Sequence, residues 1–377
     1  MKLLHLADLH LGKRVNGFDM LEDQRFILEQ ILTLCDKHGV EAVVLAGDIY
    51  DTPVPPAAAC TLLDWFLTQL SLRHVPVLAV SGNHDSAERL DIASGLLAEQ
   101  GVYIAGRFHG MPKQVVLHDR YGPLEFTLLP FVRAATVRHY LPEAEISDYD
   151  SAVGAALAVC EPAAPRRVLV AHQMVVSGVC PPQLAGSETA PLTVGTVDSI
   201  DAARFAGFCY AALAHIHRAQ RVGIDAVRYA GAPLCYHLDE CGMQKSVTLV
   251  RVGKRGVEKI EQLPLTPRRA MRHLTGPLAK LVAHPTDTED YIWATLTDPT
   301  PLPDAMAQLR AAYPNAMRLD YLPQGEVAHP LDMTQAVRGK PFVELFQDFF
   351  TKMNGRPLTV EETVAVKRLR EEASKSE

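Results

Sequence analysis

The stretch Leu3-Leu4-His5-Leu6-Ala7-Asp8-Leu9-His10 is an apolar run of strand length that stops abruptly on ionisable residues. The same shape recurs along the first two-thirds of the chain. Residues 42–46 run into Gly47-Asp48-Ile49-Tyr50-Asp51, and 77–80 into Gly82-Asn83-His84-Asp85. Residues 168–171 end on His172, and 210–214 on His215-Ile216-His217. Between the first three runs lie amphipathic stretches, 21–37 and 57–70, whose spacing predicts crossover helices. Strands alternating with helices predict a largely parallel, buried sheet in an α/β layer fold. In such sheets ligands collect at the carboxyl ends of the strands, where each of these polar clusters falls.

At 377 residues the chain has room for two or three domains. No apolar stretch is long enough to span a bilayer, and residues 2–10 are too polar for a signal peptide. The 7 cysteines contain no Cys-x-x-Cys pair, which predicts a reduced cytoplasmic protein. The net charge of −7 counts against DNA binding through the whole protein's field. A local basic surface stays open: Arg251, Lys254, Arg255, Lys259, Arg268, Arg269 and Arg272 are opposed only by Glu258 and Glu261. A solvated face of strands and turns accounts for these charges equally well.

Residues 228–265 turn to strands and tight turns, with 245–252 and 256–263 as a hairpin, read as a second sheet completing a first domain of residues 1–266. A new rhythm follows over 267–324: strand 269–274, helix 277–283, strand 291–296, helix 303–312 and strand 317–321. This is a separate small α/β unit. Residues 325–340 read as a linker and 341–377 as a helical tail. In the tail Phe342, Leu345, Phe346, Phe349, Phe350 and Met353 share one helical stripe, and Asn354-Gly355 ends it. Thr359 with Glu362 forms a capping box for a last helix.

An Asp-x-His alone means little, and a lone His172 is more often a hydrogen-bonded core histidine than a ligand. The set differs, because each member otherwise crowds ionisable groups at a strand end at a cost of several kcal/mol. Metal coordination compensates that cost. Carboxylate, imidazole and amide oxygen without thiolate suit manganese or iron rather than structural zinc. There are more donors than one ion needs, so two ions about 3.5–4 Å apart, sharing a carboxylate, are expected.

In this order, Asp-x-His, Gly-Asp-x-x-Asp, Gly-Asn-His-Asp, a lone His and His-x-His resemble the calcineurin-like metallophosphoesterases. Leu6-Ala-Asp-Leu-His-Leu-Gly12, Gly47-Asp-Ile-Tyr-Asp-Thr52 and Tyr229-Ala-Gly-Ala-Pro233 are similar to phrases of the bacterial SbcD nucleases, counterparts of the Mre-type nucleases. So are Gln244-Lys-Ser-Val-Thr-Leu-Val250 and Leu263-Pro-Leu-Thr-Pro267. The resemblance covers nearly the whole chain. It implies a two-sheet sandwich flanked by helices, with a small α/β capping domain that recognises DNA and a C-terminal helical tail.

Carried over by motif, the resemblance assigns Asp8, His10, Asp48 and His217 to one metal. Asp48, Asn83, His172 and His215 go to the other, with Asp48 as bridge. The ions would be two Mn(2+) per chain, with Mg or Fe as alternatives. They would lower a water's pKa toward neutral for in-line attack on phosphorus. His84 would sit beside the scissile phosphate, stabilising the transition state or protonating the leaving oxygen, with Asp51 orienting its ring. Asp85 reads as a turn cap. Lys13, Arg14 and Arg89, which follow metal motifs, are candidates to grip substrate or are ordinary surface charges. Ala214 and Ala232 stand where the family usually has Gly and Ser, so the backbone turn before His215 is open to question.

The implied activity is an ATP-dependent double-strand DNA exonuclease and a hairpin endonuclease in DNA repair, recombination and replication. The implied partner is an SbcC-type ABC ATPase, gripped at its coiled-coil root by the tail in a heterotetramer of two plus two. Family likeness also implies a homodimer through 57–70 and 87–98, with Leu62, Leu63, Trp65 and Phe66 in contact; core packing explains those four equally. The alternative activity is a phosphoprotein phosphatase or small-molecule phosphodiesterase. Protein phosphatases of this superfamily follow Gly-Asp-x-x-Asp with Arg-Gly and use Gly-Asn-His-Glu, whereas Thr52-Pro53 and Asp85 stand here. A non-catalytic binding module is disfavoured by the full ligand set.

Overall fold

The computed structural model describes residues 1–178, 182–185, 199–322, 342–354, 356–359, 362, 363 and 366. Two six-stranded sheets lie face to face. In the first, Lys2–Leu6 pairs in parallel with Ala42–Leu45, which pairs with Val77–Val80 and then Val102–Ala105. The second has the order Gln220–Val222, Ile224–Tyr229, Tyr210–Ala214, Arg167–His172, Gly122–Leu129, Lys113–Asp119, parallel at its centre and antiparallel at both margins.

Alternation of side chains explains why the strands are apolar throughout. Leu3, Val44, Leu78 and Val80 meet Phe126, Leu128, Val168, Val170 and Ala212 between the sheets. Leu4, Leu6, Val43, Leu45, Val77 and Ala79 point the other way, onto two helices, α1 (Leu21–His38) and α2 (Ala57–Leu72). Leu169, Ala171, Ala211 and Leu213 face helices Ala134–Tyr140 and Tyr149–Ala158 on the far side. The result is a four-layer α/β/β/α sandwich.

Two expectations about pairing are corrected. The five runs do not share one sheet: the first three enter the first sheet and the last two the second, so their carboxyl ends meet across the sandwich. Nor does the hairpin Ser246–Gly253 with Gly256–Pro264 build the second sheet; its first strand pairs antiparallel with Lys2–Leu6 and closes the first. Run length and apolarity tell a strand that it must be covered on both faces, not by which neighbour. Strands Val102–Ala105, Lys113–Asp119 and Gly122–Leu129 carry no strand-end ligand, and the sequence reading passed over them.

Met271–Gly276, Tyr291–Leu296 and Ala316–Tyr321 form a separate three-stranded parallel sheet around its own core of Ile292, Ala294, Leu296, Leu309 and Ala316. Helix Phe342–Asn354 follows, and Thr359 and Glu362 exchange the two hydrogen bonds of a capping box. The expected linker 325–340 lies outside the described residues. Among the described residues no helix is long and apolar enough to cross a membrane.

Leu62, Leu63 and Phe66 of α2 are core residues, 4%, 6% and 0% exposed, and Trp65 packs against that core. None of the first three is available to a second chain. The expected second helix of that face is two short ones, Ala87–Leu90 and Ser94–Ala98, broken at Ala93 by a left-handed backbone.

Candidate metal centre

Where the carboxyl ends of Lys2–Leu6, Ala42–Leu45, Val77–Val80, Arg167–His172 and Tyr210–Ala214 meet, the backbone is bent out of regular strand geometry. Asp8, His10 and Asp48 have φ of 50°, 45° and 47°, and His215 of 102°. Non-glycine residues in this region are strained by about 1–3 kcal/mol each, and such strain gathers at functional sites. The bend at the last strand falls on His215 itself; Ala214 remains ordinary strand, so the alanine there costs nothing.

The bends converge the side chains. Asp8, His10, His172 and His217 are nearly inaccessible and Asp48 only 3% exposed. Ligand atoms of Asp8, His10 and His217 lie within 4.8 Å of one another, as do those of Asp8, Asp48 and His172, and those of His10, Asp48 and His84. Asp8, His10 and Asp48 each belong to two of the three groups, and Asp48 is shared by the His84 and His172 groups. Asn83 Oδ1 joins its side of the cluster, 2.9 Å from His172 Nε2 and 3.2 Å from His215 Nδ1.

Hydrogen bonds select which ring nitrogen faces inward. His172 Nδ1 lies 3.1 Å from the Ala46 carbonyl, which can only accept, so Nδ1 donates and Nε2 is the nitrogen turned toward Asp48, 3.4 Å away, free to meet a cation once its own proton is displaced. His217 Nδ1 faces the Glu240 carboxylate at 3.4 Å and its Nε2 faces His10 Nε2 at 3.1 Å. His10 Nδ1 lies 3.3 Å from Asp51 Oδ1. Two imidazole lone pairs facing each other repel unless a proton or a cation lies between them. This donor set of buried carboxylates, an amide oxygen and inward-turned imidazoles fits hard or borderline divalent cations, and tautomers held by outer oxygen acceptors are the usual support for such ligands.

Electrostatics respond to the crowding. Burial lifts the Asp8 carboxyl to about 6, against the pull of His217 and His172. Burial would raise Asp48 as well, but the imidazoles of His172, His10 and His84 outweigh it and hold that carboxyl below its usual range. His172 shows the reverse balance: burial lowers it, Asp48 and then Asp8 raise it further, and it reaches about 9. Burial depresses His10 to about 4 and His215 to about 3. Without a cation the cluster neutralises itself by holding protons that a cation would displace.

Two glycines set the clearance. A Cβ on Gly82 would lie 2.0 Å from Asp48 Oδ1, and one on Gly47, whose φ is +103°, 2.5 Å from His172 Nδ1. Asp85 accepts from the backbone N–H groups of Ile49, Tyr50 and Gly82, the turn cap expected of it.

His84 is half-buried beside the cluster, its Nε2 4.0 Å from Asp48 Oδ2. Its ring is not oriented by the Asp51 carboxylate as expected: Nδ1 meets the Asp51 main-chain oxygen at 2.9 Å. The carboxylate turns instead to His10 Nδ1 and to the Lys13 ammonium, 2.6 Å away, the cation within its reach. Burial raises Asp51 and these two contacts lower it, to about 2. Lys13 is thereby tied inward rather than extended toward solvent. Arg14 is exposed and donates to the Gly17 carbonyl, and Arg89 lies exposed on Ala87–Leu90.

Sequence reasoning missed Glu240 and Lys245, which pair with each other behind His217, and Gln24 and Tyr236, which hold the loop of His10. None ends a strand in an ionisable motif, the one signal used.

A family model of the calcineurin-like phosphoesterases matches residues 1–173, the stretch that supplies most of these ligands. Residues 1–173 form a calcineurin-like phosphoesterase domain. A second model, SbcD_C, described as the type 5 capsule protein repressor C-terminal domain, matches residues 267–354. The chain is 29% identical over 326 residues to the SbcD subunit of the nuclease SbcCD from Staphylococcus epidermidis, covering 85% of each chain. The resemblance to the SbcD branch of the family thus extends through both matched regions. Among solved structures, a dimetal phosphatase from Danio rerio is 13% identical over 71% of this chain and 98% of its own, with a TM-score of 0.37. GAP50 of Plasmodium, titled the anchor in the inner membrane complex, is 12% identical over 86% and 98%, with a TM-score of 0.40.

Proposed function

We propose that the chain is the nuclease subunit of a two-component DNA-processing enzyme, a phosphodiesterase that uses two divalent cations, most suitably manganese. The observation that carries this reading is the set of inward-turned ligands on both sides of Asp48. Asp8, His10, Asp48 and His217 would hold one cation, and Asp48, Asn83, His172 and His215 the other. When bound, the pair supplies Lewis acidity toward phosphoryl oxygens and a lowered pKa for water.

The chain's own groups do the rest. Because the Asp51 carbonyl only accepts, a neutral His84 carries its proton on Nδ1, and Nε2 is the nitrogen that faces the cluster. Once protonated there, the ring is placed to donate to a phosphate oxygen or to the leaving oxygen. Asp51 keeps Lys13 and the ring of His10 in place. The exposed Arg14 and Arg89 are the remaining candidates for phosphate contact.

The curated relative is named as one subunit of a two-part nuclease. We extend this to an SbcC-type ATPase partner bound by helix Phe342–Asn354, in a two-plus-two assembly acting on duplex ends and hairpins with ATP. The homodimer face would be redrawn to Leu72, Ile92 and Leu96, exposed at 69%, 69% and 75%. Leu72 and Ile92 line a groove of about 500 Å³ between α2 and residues 89–104.

The test is a substrate panel with manganese: linear duplex and hairpin DNA, an aryl phosphate monoester and cyclic nucleotides. DNA cleavage that a chelator abolishes is expected. Faster turnover of the monoester or the cyclic nucleotides than of DNA would overturn the nuclease reading.

A further inference from the structure

Asp8 and His10 sit on a loop whose backbone is left-handed at Asp8, His10 and Gly12. Unsupported, such a loop relaxes toward ordinary φ and carries its ligands with it. Main-chain bonds from Asp8, His10 and Leu11 to residues 47–49 hold one side of the loop, and a buried side chain of α1 holds the other. Gln24, 3% exposed, offers its amide nitrogen to the His10 carbonyl at 2.7 Å, the Leu9 carbonyl at 3.4 Å and the Tyr236 hydroxyl at 3.1 Å. Its amide oxygen accepts the Gly12 N–H at 3.0 Å. Tyr236 in turn donates to the Leu9 carbonyl at 2.6 Å and sets its ring edge against His10 and His217.

The preceding residue reaches the opposite way. Asp23 is a carboxylate with no exposed surface, in the first turn of α1. Two groups of the small domain hold it: the Tyr291 hydroxyl at 2.7 Å and Arg269 Nη1 at 2.8 Å. Glu22, one residue earlier, also receives Arg268 and Arg269. Adjacent residues of one rigid helix thus bind the small domain with one side chain and the ligand loop with the next. The other arm of the centre, Asn83, His172 and His215, receives none of Gln24's hydrogen bonds.

We propose that Gln24 is a positioning residue for the Asp8–His10 arm of the metal centre, and that Asp23 makes that arm responsive to how the small domain sits on α1. This rests on the two-cation reading and adds a regulatory route to it: whatever the small domain grips is felt first at the cation held by Asp8, His10 and His217. The coupling is short, two residues of helix, and needs no movement of the second sheet.

The test is manganese titration of the full chain, read by electron paramagnetic resonance, with calorimetry alongside. Gln24→Glu keeps the size of the side chain and the acceptor for Gly12 but removes both amide donors. It should weaken one of the two manganese sites about 10- to 100-fold and leave the other near wild type. The spin-coupled signal of a manganese pair then gives way to that of isolated ions, a signature that a merely loosened fold would not produce. Tyr291→Phe touches no atom of the loop, and should shift the same site in the same direction by about twofold to thirtyfold. Should Gln24→Glu fail to fold, Tyr236→Phe tests the same arm by removing the hydroxyl from the Leu9 carbonyl. A folded Gln24→Glu or Tyr236→Phe chain that binds a coupled pair like wild type overturns the positioning role. A wild-type response in Tyr291→Phe alone overturns the coupling. A wild-type chain with no coupled pair overturns the two-cation reading and this inference with it.

Discussion

A single methyl group would overlap Asp48 Oδ1 at Gly82 and the ring of His172 at Gly47. Gly82→Ala should therefore fold but lose cleavage by about 100-fold or more, since a misplacement of order 1 Å at the reacting centre is worth that much; steady-state rates against circular dichroism separate the two effects. His84→Ala touches no ligand atom, and should keep manganese and DNA binding while cutting turnover by about 100-fold to 10,000-fold. A turnover near wild type removes the role assigned to the ring. The protons held by Asp8, near 6, and His172, near 9, fix a sign for metal binding. Cations must displace them, so affinity should rise with pH from about 6 to about 9 with proton release, measurable by calorimetry in buffers of different ionisation enthalpy. In the cation-free chain the raised His172 gives stability that is complete below about pH 6.5 and is lost as pH climbs through about 9. At this scale the strand-end motifs were readable because each is local. The Asp51 carbonyl beneath His84 was not, because main-chain atoms leave no mark in a residue pattern.

The elements are legible almost to the residue where period and length agree. Val77–Val80, Tyr210–Ala214 and Tyr291–Leu296 coincide with their expected spans, and α1 differs only by one residue at its end, where Gly39 takes the left-handed cap. The assignment of faces is where sequence falls short. On α2, Leu62, Leu63 and Phe66 are candidates for partner contact by sequence and lie inside; Phe66→Ala should cost about 3–5 kcal/mol of stability by denaturant titration without changing self-association. The tail helix presents the opposite case. Leu345, Phe346 and Phe350 are part-buried and Phe349 is 53% exposed, on the face that the proposed ATPase contact would use. Deleting residues from 341 onward should leave cleavage of short substrates intact and abolish co-purification with the ATPase. Retained association would move the contact elsewhere.

For the whole molecule, five strand ends from two sheets must stay assembled around mutually repelling groups. Manganese at 100 times its dissociation constant should stabilise the fold by about 2.7 kcal/mol per independent site, and chelation should lower the melting temperature accordingly. By itself the sequence determined the strands that end on ionisable motifs, the helices between the first three of them, that these strands are covered on both faces, and that their carboxyl ends carry metal-binding chemistry. Each of these is written in spacing along the chain, in the period of apolar residues and in the residue at which a run stops. Only the tertiary structure decided that the runs divide between two facing sheets, that the Ser246–Gly253 hairpin completes the first, and that Gln24, Tyr236 and Glu240 stand behind the ligands. Those contacts join residues as far apart along the chain as Lys2 and Arg251. Pairing across such a distance is selected by the packing of the whole sandwich, which no local pattern encodes.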